Sequence, residues 1–502
     1  MDNNNQSSFN FQILEKEMIK NIVEGYFECK SFFQAHHDNT NIESHKEKEK
    51  FLKRISREFF EKFQNHPYCV KDDYGREVLE KNNRVLLKFR SGGFFFPRTF
   101  SHFMDRLQDI NITPVREIDL TDLDEYMKGF SDLDSLDDFL SGFFIVIKSL
   151  TIPLREREVE VLKILTKPEF LLKDAEGKPR IHSPEIEEIV AALGYSKKNL
   201  LRVKRSENLM YNFRVCWTNM IAMNPAKFGF YYAQFEYTPE MEGVEKIKPY
   251  LVWDLPLKDR RIAIACVPFG NVNELLNPFD YTQLTDWLWN ANFQDYSHDK
   301  HDSQHGWSEF EIPDILSNYY RTGNFVHWDL ERSYKDEFNE NEVEIIKNLT
   351  KTNTLSLRSL DLLSKNLSSG GIRHILNQFV ENGVYQQYPN VAFIGLKDII
   401  FVTIKCEDKD YFQNIVHNLL SYPVAHVFSN EKQNLIIGYI HVPGVLVNKI
   451  TDKFNLLSLL LKDKISIEYE LLPNTKKISK FIELSKINFT VKNGIAYTID
   501  EN

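Results

Sequence analysis

Four short apolar runs between residues 399 and 471 decide the fold of the C-terminal part of the chain: IIFVTIKC (399–406), VAHVF (424–428), LIIGYIHV (435–442) and ISIEYEL (465–471). They are rich in β-branched and aromatic residues, which favour strands. Two segments between them carry apolar residues at helical spacing: Tyr411, Phe412, Ile415, Val416 and Leu419, then Val447, Ile450, Phe454 and Leu457. The order βαββαβ predicts a ferredoxin-like unit.

Three short helices are predicted directly before this unit. Their apolar residues lie three or four positions apart: Val343, Ile346 and Leu349; Leu360, Leu363 and Leu367; Ile372, Ile375, Leu376 and Phe379. Ser368 is the predicted N-cap of the third helix, and Gly383 is its C-terminal glycine. Because helices this short form a core only together, the pattern predicts a helix-turn-helix bundle.

The same plan recurs upstream, in residues 150–325. One helix is predicted from Val159, Leu162 and Leu165, and a second starts at Ser183-Pro184 and carries Ile186, Ile189, Val190 and Leu193. The turn Gly194-Tyr195-Ser196 follows, with Ser196 predicted to cap the next helix. Strands are predicted at 231–237, 250–253 and 261–267, and a further helix from Leu284, Trp287 and Leu288.

Two local sequences carry a family resemblance. Asn224-Pro225-Ala226-Lys227-Phe228-Gly229-Phe230 precedes the strand that starts at Tyr231, and the spacing from Leu367-Ser368 to Gly383-Val384 suits a recognition helix and its exit. The two units in this order resemble the Lrp/AsnC family of transcriptional regulators, in a diverged form of archaeal or bacterial type. The resemblance implies tandem winged helix-turn-helix domains, each followed by a ferredoxin-like RAM domain that mediates oligomerisation and binds amino-acid-like effectors.

The chain departs from that family in one hairpin. The family has a glycine followed by an acidic residue before the third strand of the RAM domain, near the effector pocket. This chain has Asn430-Glu431-Lys432-Gln433-Asn434, without a glycine. The second copy therefore lacks the family's effector signature.

The predicted fold class is α+β and multidomain, with two helix-turn-helix bundles each followed by a ferredoxin-like βαββαβ domain. The predicted boundaries are 1–150 for an N-terminal α/β region, 151–224 and 225–330 for the first bundle and sensor domain, and 338–395 and 396–502 for the second pair with a C-terminal tail. Within the N-terminal region we predict a helix at 43–64, a strand at 84–89, a helix at 97–107 and a strand at 143–150. Two interpretations of this region remain: a third, strongly diverged sensor-like unit, or an unrelated α/β cap.

Composition narrows the function classes. The chain is 42% hydrophobic and 27% charged, as is typical of globular proteins, and its five scattered cysteines indicate a reducing compartment. It has neither a secretory signal pattern nor an apolar stretch long enough to span a bilayer. We therefore expect a cytoplasmic protein with no membrane partner. The net charge of −10 is a whole-chain average, whereas phosphate binding needs only a local basic surface.

A local basic surface is predicted at the first bundle. Between Ser196 and Val215, six cations are opposed by Glu207: Lys197, Lys198, Arg202, Lys204, Arg205 and Arg214. The predicted contacts to double-stranded DNA are Ser196, Lys197, Lys198, Asn199, Arg202, Lys204 and Arg205, with Ser369, Arg373, His374 and Asn377 from the second bundle. The alternative interpretation of the first cluster is a solvated helix face. Self-association is expected through the sensor sheets.

Two other functions stay open. A sirohaem-decarboxylase-like enzyme on the same scaffold would line a tetrapyrrole pocket with groups such as His426 and His441. A protein-interaction scaffold with degenerate DNA surfaces would agree with the acidic net charge. We predict no catalytic residues, metal site or cofactor, because the loop of His298, His301 and His305 lacks a frame to fix metal geometry and Gly92-Gly93 lacks a phosphate-loop lysine.

Overall fold

The computed structural model describes most of the chain from residue 154 to residue 499 and less of what precedes it. The described ranges are 121–129, 154–167, 184–212, 216–257, 259–297, 306–318, 325–331, 333–352, 368–391, 394–396, 398–472 and 487–499, with isolated positions besides. They form a mixed α+β structure with several antiparallel sheets. The chain divides into two compact units, Met1–Pro153 with Asn474–Lys477, and Leu154–Pro473 with Ile478–Asn502.

The first unit contains helix α1 (Thr121–Lys128), which starts with acidic residues and buries Leu123 and Met127. The hydroxyl of Tyr126 donates a hydrogen bond to the carbonyl oxygen of Phe139 over 2.7 Å. Asp122 and Asp124 lie in the first turn of this helix, where negative charge interacts favourably with the positive N-terminal end of the helix dipole.

The strand predicted at 143–150 is wrong where the structure describes it. Gly142 and Val146 are helical, and both are buried together with Phe139. Positions 139, 142 and 146 are three and four residues apart, which is the period of one helical face. The apolar run between them hid that period. The helices predicted at 43–64 and 97–107 and the strand at 84–89 lie outside the described residues.

The second unit begins with the first helical group: α2 (Glu156–Leu165), α3 (Ile186–Ala192) and α4 (Leu200–Asn212), with a short 3₁₀ turn (Lys197–Asn199) before α4. Helix α4 packs on both α2 and α3. Most of the side chains predicted to form the core of this group are buried, whereas Ile186 and Leu193 are half-buried. The buried ones are Val159, Leu162, Leu165, Ile189 and Val190. Strand β1 (Cys216–Met223) leads away from the group.

A four-stranded antiparallel sheet follows. Its elements in chain order are β2 (Phe230–Tyr237), α5 (Val244–Ile247), β3 (Leu251–Pro256), β4 (Arg261–Pro268), α6 (Val272–Leu276) and β5 (Tyr281–Gln283). The strands lie in the order β3-β4-β2-β5. One face of this sheet packs on the two short helices through Val244, Ile247, Leu275 and Leu276. The three predicted strands are confirmed.

The helix predicted from Leu284, Trp287 and Leu288 is wrong. Residues Asp286–Ala291 form a strand, β6, which pairs with β7 (Val326–Asp329) on one side. Leu284 lies just before β6, and its N–H donates to the carbonyl of Tyr232. Because β6 is buried over five consecutive residues, its side chains show no alternation. A continuous apolar run of this kind is ambiguous between helix and strand.

The second helical group contains α7 (Glu340–Thr352) and α8 (Ser369–Glu381), followed by strand β8 (Tyr385–Val391). Ser368 caps α8 as predicted, because its hydroxyl accepts a hydrogen bond from the N–H of Gly371 over 3.2 Å. Gly383 has a φ of +67°, as expected of a glycine that ends a helix. The helix predicted from Leu360, Leu363 and Leu367 lies outside the described residues.

A six-stranded antiparallel sheet completes the second unit. Its C-terminal elements are β9 (Asp398–Cys406), α9 (Lys409–Leu419), β10 (Val424–Asn430), β11 (Leu435–Val442), α10 (Val447–Leu460) and β12 (Ile465–Leu472). The strand order is β12-β9-β11-β10-β6-β7, so β6 and β7 extend the sheet at its β10 edge. All four predicted strands and both predicted helices are confirmed, with boundaries that agree within three residues.

The two sheets pack on each other through one aromatic layer. Trp253 of β3 lies 4.4 Å from Tyr439 of β11 between ring centroids, and 5.3 Å from Phe428 of β10. Tyr232 of β2 approaches Trp287 of β6 at 6.5 Å. The inner faces of both sheets are therefore covered within one chain.

Two small antiparallel pairs join parts of the second unit that are distant in sequence. Strand β1 pairs with β8, so the strands that leave the two helical groups form one ladder. The hairpin of β13 (Phe489–Lys492) and β14 (Ile495–Thr498) packs its Phe489 against Phe230 of β2, with ring centroids 5.2 Å apart. The predicted C-terminal tail thus contacts the first sheet. Within the described residues, none of the helices has the length and hydropathy needed to cross a membrane.

Candidate nucleic-acid interface

Helix α4 buries one face against α2 and α3 and exposes the other. Val203, Ser206 and Met210 are buried, and their spacing of three and four residues defines the inner face. Glu207 lies at the margin of that face, where burial raises the pKa of its carboxyl against the opposing effect of Lys204. The packing therefore fixes which α4 residues point to solvent.

A buried ion pair anchors the start of α3. The Arg180 guanidinium donates to both carboxylate oxygens of Glu188, over 2.8 and 3.0 Å, and to the carbonyl of Phe170 over 3.1 Å. The Arg180 side chain is 1% exposed. Paired arginine and carboxylate groups of this two-bond type are geometrically specific. Arg180 thereby ties the chain that enters the group to α3.

The predicted start of α3 needs a correction. The helix begins at Ile186 with Glu185 as its N-cap, two residues after the predicted Ser183-Pro184 start. The N–H of Glu185 donates to the Glu188 carboxylate over 2.8 Å. A carboxylate that also holds Arg180 thus satisfies the N-terminal backbone, so a serine cap is not needed.

The turn between α3 and α4 follows the predicted Gly194-Tyr195-Ser196 sequence. Gly194 has a φ of +69°, and the hydroxyl of Tyr195 donates to Glu160 of α2 over 2.5 Å. Ser196 is exposed and occupies the N-cap position of the 3₁₀ turn, but its side chain makes no capping hydrogen bond. The predicted side-chain cap is therefore wrong, while the predicted turn is confirmed.

The predicted DNA-contacting cations of the first group lie together in one exposed segment that spans the 3₁₀ turn and the first half of α4. Five of them are exposed, and within the described part of the chain none forms an ion pair: Lys197, Lys198, Arg202, Lys204 and Arg205. Asn199 is half-buried in the same turn. Arg214 lies outside the described residues. Exposed cations grouped on one short segment can neutralise several phosphates of a nucleic-acid backbone.

The second helical group exposes fewer cations. Arg373, His374 and Asn377 of α8 are exposed, while Ile372, Leu376 and Phe379 are buried in the core. Ser369 is the first residue of α8, and its side chain is outside the described part of the structure. Arg373, His374 and Asn377 thus lie on the outer side of α8, and together they carry a single permanent positive charge.

The β1–β8 ladder and the Asn224-Pro225 junction fix the path of the chain where it leaves the two helical groups. Ala222 pairs with Gln386, and the N–H of Asn224 donates to the carbonyl of Val384 over 2.8 Å. The buried Asn224 side chain accepts the N–H of Ala226 over 3.2 Å and so caps the turn Pro225–Phe228, which ends at Gly229 in the left-handed conformation. The junction predicted from the sequence is a capped turn that leads from the ladder into β2.

A second candidate site lies in the aromatic layer between the sheets. His426 of β10 and His441 of β11 face this layer, and burial lowers the pKa of His426 to about 3 and that of His441 to about 4. Trp287 lies 5.8 Å from His426 between ring centroids. Among the described residues, neither Nδ1 of His426 nor Nε1 of Trp287 has a hydrogen-bond partner. A buried nitrogen without a hydrogen-bond partner lowers the stability of the fold unless a ligand or a water molecule forms a hydrogen bond with it.

Sequence reasoning missed two residues of interest. Leu201 is 69% exposed on α4, among the cations, and its position off the apolar stripe of that helix was the available signal. Trp287 was assigned to a helix, which separated it from His426. The polar loop of His298, His301 and His305 lies outside the described residues, and in the described part no group of three metal-ligating side chains comes together.

Comparisons with known proteins give a faint structural likeness. No family model matches the chain, and no curated protein sequence matches it. A crystal structure of the siroheme decarboxylase NirDL, in complex with an iron-uroporphyrin III analogue, aligns with 66% of this chain and 95% of its own. The identity is 12% and the TM-score is 0.35. At this level the likeness carries no argument about function, and the resemblance to Lrp/AsnC proteins stays a prediction.

Proposed function

We propose that this chain is a DNA-binding transcriptional regulator that contacts duplex DNA through the exposed cations of the 3₁₀ turn and α4. The observation that carries the proposal is the set of five exposed cations on one short segment without ion pairs to described residues. A surface helix evolved only for solubility usually alternates its charges, and pairs at helical spacing stabilise it. A segment with five exposed cations and no ion pair to a described residue instead suits a polyanion.

The proposal extends to the domain plan. The helical groups are interpreted as two winged helix-turn-helix domains, and the two βαββαβ units as ferredoxin-like sensor domains of the Lrp/AsnC type. The strand orders support this interpretation, because each unit arranges its own four strands in the order 4-1-3-2. The proposal gives the chain no catalytic role and implies a cytoplasmic location.

The assembly expected for such a regulator follows from the covered sheets. Since the inner faces of the two sheets pack on each other within the chain, association between chains would use other surfaces of the sensor domains. The β1–β8 ladder joins the exits of both helical groups. We therefore propose that one chain presents both DNA-binding domains, with the first carrying most of the phosphate contacts.

Binding to a random-sequence duplex at low salt tests the proposal. Lys197, Lys198, Arg202 and Arg205 are changed together to alanine, and the expected loss of affinity is at least about tenfold. The matched control changes four exposed lysines of the second sensor domain and the C-terminal hairpin: Lys405, Lys449, Lys462 and Lys492. Equal losses in the two variants would mean that net charge, and not the α4 segment, determines binding.

A second candidate function is capture of a small effector in the aromatic layer. It is supported by the unsatisfied nitrogens of His426 and Trp287, since the indole N–H would donate to the carboxylate of an amino-acid-like ligand. A thermal-shift screen of the twenty amino acids tests it, with Trp287→Phe as the variant that keeps the ring and loses the donor. Stabilisation by one amino acid that the variant abolishes supports the site, and no stabilisation by any of them contradicts it. For the sirohaem-decarboxylase-like alternative, added tetrapyrrole would stay with the protein through gel filtration, and its visible absorbance in the protein fraction would depend on His426 or His441.

A further inference from the structure

The outward face of α4 has an apolar residue at its centre. At about 100° per residue, Leu201 points within about 10° of the direction opposite to the mean of Val203, Ser206 and Met210. It is 69% exposed. Lys204 and Arg205 then lie about 60° and 40° to either side of it. Both cations are exposed.

The position of Leu201 along the helix matters as much as its direction. Leu201 is the second residue of α4, and the exposed Lys197 and Lys198 precede it in the 3₁₀ turn. In helix-turn-helix proteins the N-terminal residues of the recognition helix reach the base edges, while flanking cations contact phosphates. A leucine at this point is thus directed toward the floor of the groove, between the cations that would hold the two backbones.

The chemistry of the major groove has one apolar feature that suits a leucine. Thymine presents its C5-methyl group there, and apolar side chains distinguish thymine by contact with it. The geometry points to Leu201 as a specificity-determining residue that contacts a thymine methyl group in the major groove. This inference rests on the proposed function, and it adds a base preference to a surface whose cations contact phosphates of any sequence.

The test replaces the methyl group and the leucine separately. A random duplex pool of about 30 base pairs, long enough for two half-sites one helical turn apart, is first selected on the wild-type chain. In the selected duplex, each thymine is then changed to uracil, which lacks only the methyl group. The wild type should lose about three- to fivefold in affinity at one position, the value of one buried methyl-sized group. Leu201→Ala should bind the thymine duplex with an affinity lower than that of the wild type by a similar factor. Changing that thymine to uracil should cause no further loss of affinity in this variant.

The control is a leucine that is equally exposed and remote from α4 in the sequence. Leu459 of α10 is 75% exposed, and Leu459→Ala should keep the full thymine preference. The inference is overturned if Leu201→Ala retains the wild-type preference, or if the wild type distinguishes thymine from uracil at no position. If the wild type binds no duplex and the pool does not enrich, the proposed function itself fails. If the wild type binds duplexes without any sequence preference, the proposed function stands and only the inference about Leu201 fails.

Discussion

Gly229 lies in direct backbone contact with Gly494: a Cβ atom built on Gly229 would come within 2.4 Å of the Gly494 carbonyl oxygen. The carbonyl oxygen of Gly229 also accepts the N–H of Ala496 over 3.1 Å. The C-terminal hairpin therefore docks on the junction that follows the β1–β8 ladder. A two-stranded hairpin is marginal by itself, so its order depends on this contact.

The glycine contact predicts a large effect of Gly229→Ala. Gly383 has a similar positive φ with no atom within 4 Å of its built Cβ, so Gly383→Ala measures the conformational cost alone, about 1–2 kcal/mol. Gly229→Ala should cost at least about 2 kcal/mol more, because the hairpin must move and a buried hydrogen bond is lost. Hydrogen exchange of residues 487–499 is the measurement. Protection that is the same in both variants would show that the hairpin does not depend on this contact.

The β1–β8 ladder predicts a cross-link within one chain. Ala222 and Gln386 are partners in the antiparallel register, where opposed Cα atoms lie about 4.5–5.5 Å apart, a distance that a disulfide spans. Oxidation of the Ala222→Cys/Gln386→Cys variant should give a monomer that migrates faster on a non-reducing gel. The control places the second cysteine at Gln387, which projects to the other face of the strand. A disulfide-linked dimer would instead mean that the ladder forms between chains.

The two half-buried histidines that face the aromatic layer, His426 and His441, predict a loss of stability in acid. Their pKa values in the folded chain are about 3 for His426 and about 4 for His441, below the value of about 6.5 for an unfolded histidine. The unfolded chain therefore binds more protons below about pH 6.5. The stabilising contribution is present above that pH, and each histidine loses up to about 1.4 kcal/mol per pH unit as the pH falls toward the folded pKa.

Urea unfolding at pH 7.5 and pH 5 measures this contribution. His426→Phe should reduce the difference in midpoint between the two pH values. His327 serves as the control, because its hydrogen bond with Asp286 raises the pKa of its imidazole, so its stabilising effect is present in acid and is lost as the pH rises. His327→Gln should leave the acid loss in place. An unchanged pH dependence in His426→Phe would contradict the assignment.

The Arg180–Glu188 pair predicts a local and partly reversible defect. Arg180→Met removes the cation from the partly buried Glu188 carboxylate, which keeps the N–H of Glu185, and the loss of a paired charge of this kind costs about 3–5 kcal/mol. Adding Glu188→Gln removes the charge and should recover part of the loss. Hydrogen exchange across α2–α4 reports the effect, while the β9–β12 strands should keep their protection. If the loss of hydrogen-exchange protection in the double variant equals the sum of the losses in the two single variants, the two side chains are not energetically coupled.

The sequence predicted the strands and helices between residues 398 and 472 well, because the period of the apolar residues changes clearly from one element to the next. Runs such as IIFVTIKC and LIIGYIHV are short and β-branched, and helical spacing at Ile415 and Ile450 separates them. Strand β6 was mistaken for a helix because Trp287 to Ala291 are all buried, so that no alternation marks the strand. Its place in the sheet depends on pairing with β10 and β7, which are distant in sequence. Local periodicity cannot carry such information.

The candidate site was predictable in charge but not in geometry. The cations from Lys197 to Arg205 can be identified directly in the sequence. Their exposure to solvent follows from the spacing of the apolar residues that form the inner face of α4. The β1–β8 pairing, the contact of Gly229 with the C-terminal hairpin, and the approach of Trp287 to His426 are long-range relationships. Each joins segments more than 130 residues apart. No spacing rule within a single element predicts them.

The salt dependence of duplex binding shows whether the cations of the 3₁₀ turn and α4 contact DNA phosphates. The logarithm of the binding constant falls with the logarithm of salt concentration by about 0.9 for each phosphate that is neutralised. The wild type should therefore give a steep line, and the variant with alanine at Lys197, Lys198, Arg202 and Arg205 should give a line flatter by about 3–4 in slope. The variant at Lys405, Lys449, Lys462 and Lys492 should keep the wild-type slope. A wild type that shows no affinity at low salt, or an α4 variant with the wild-type slope, would contradict the account.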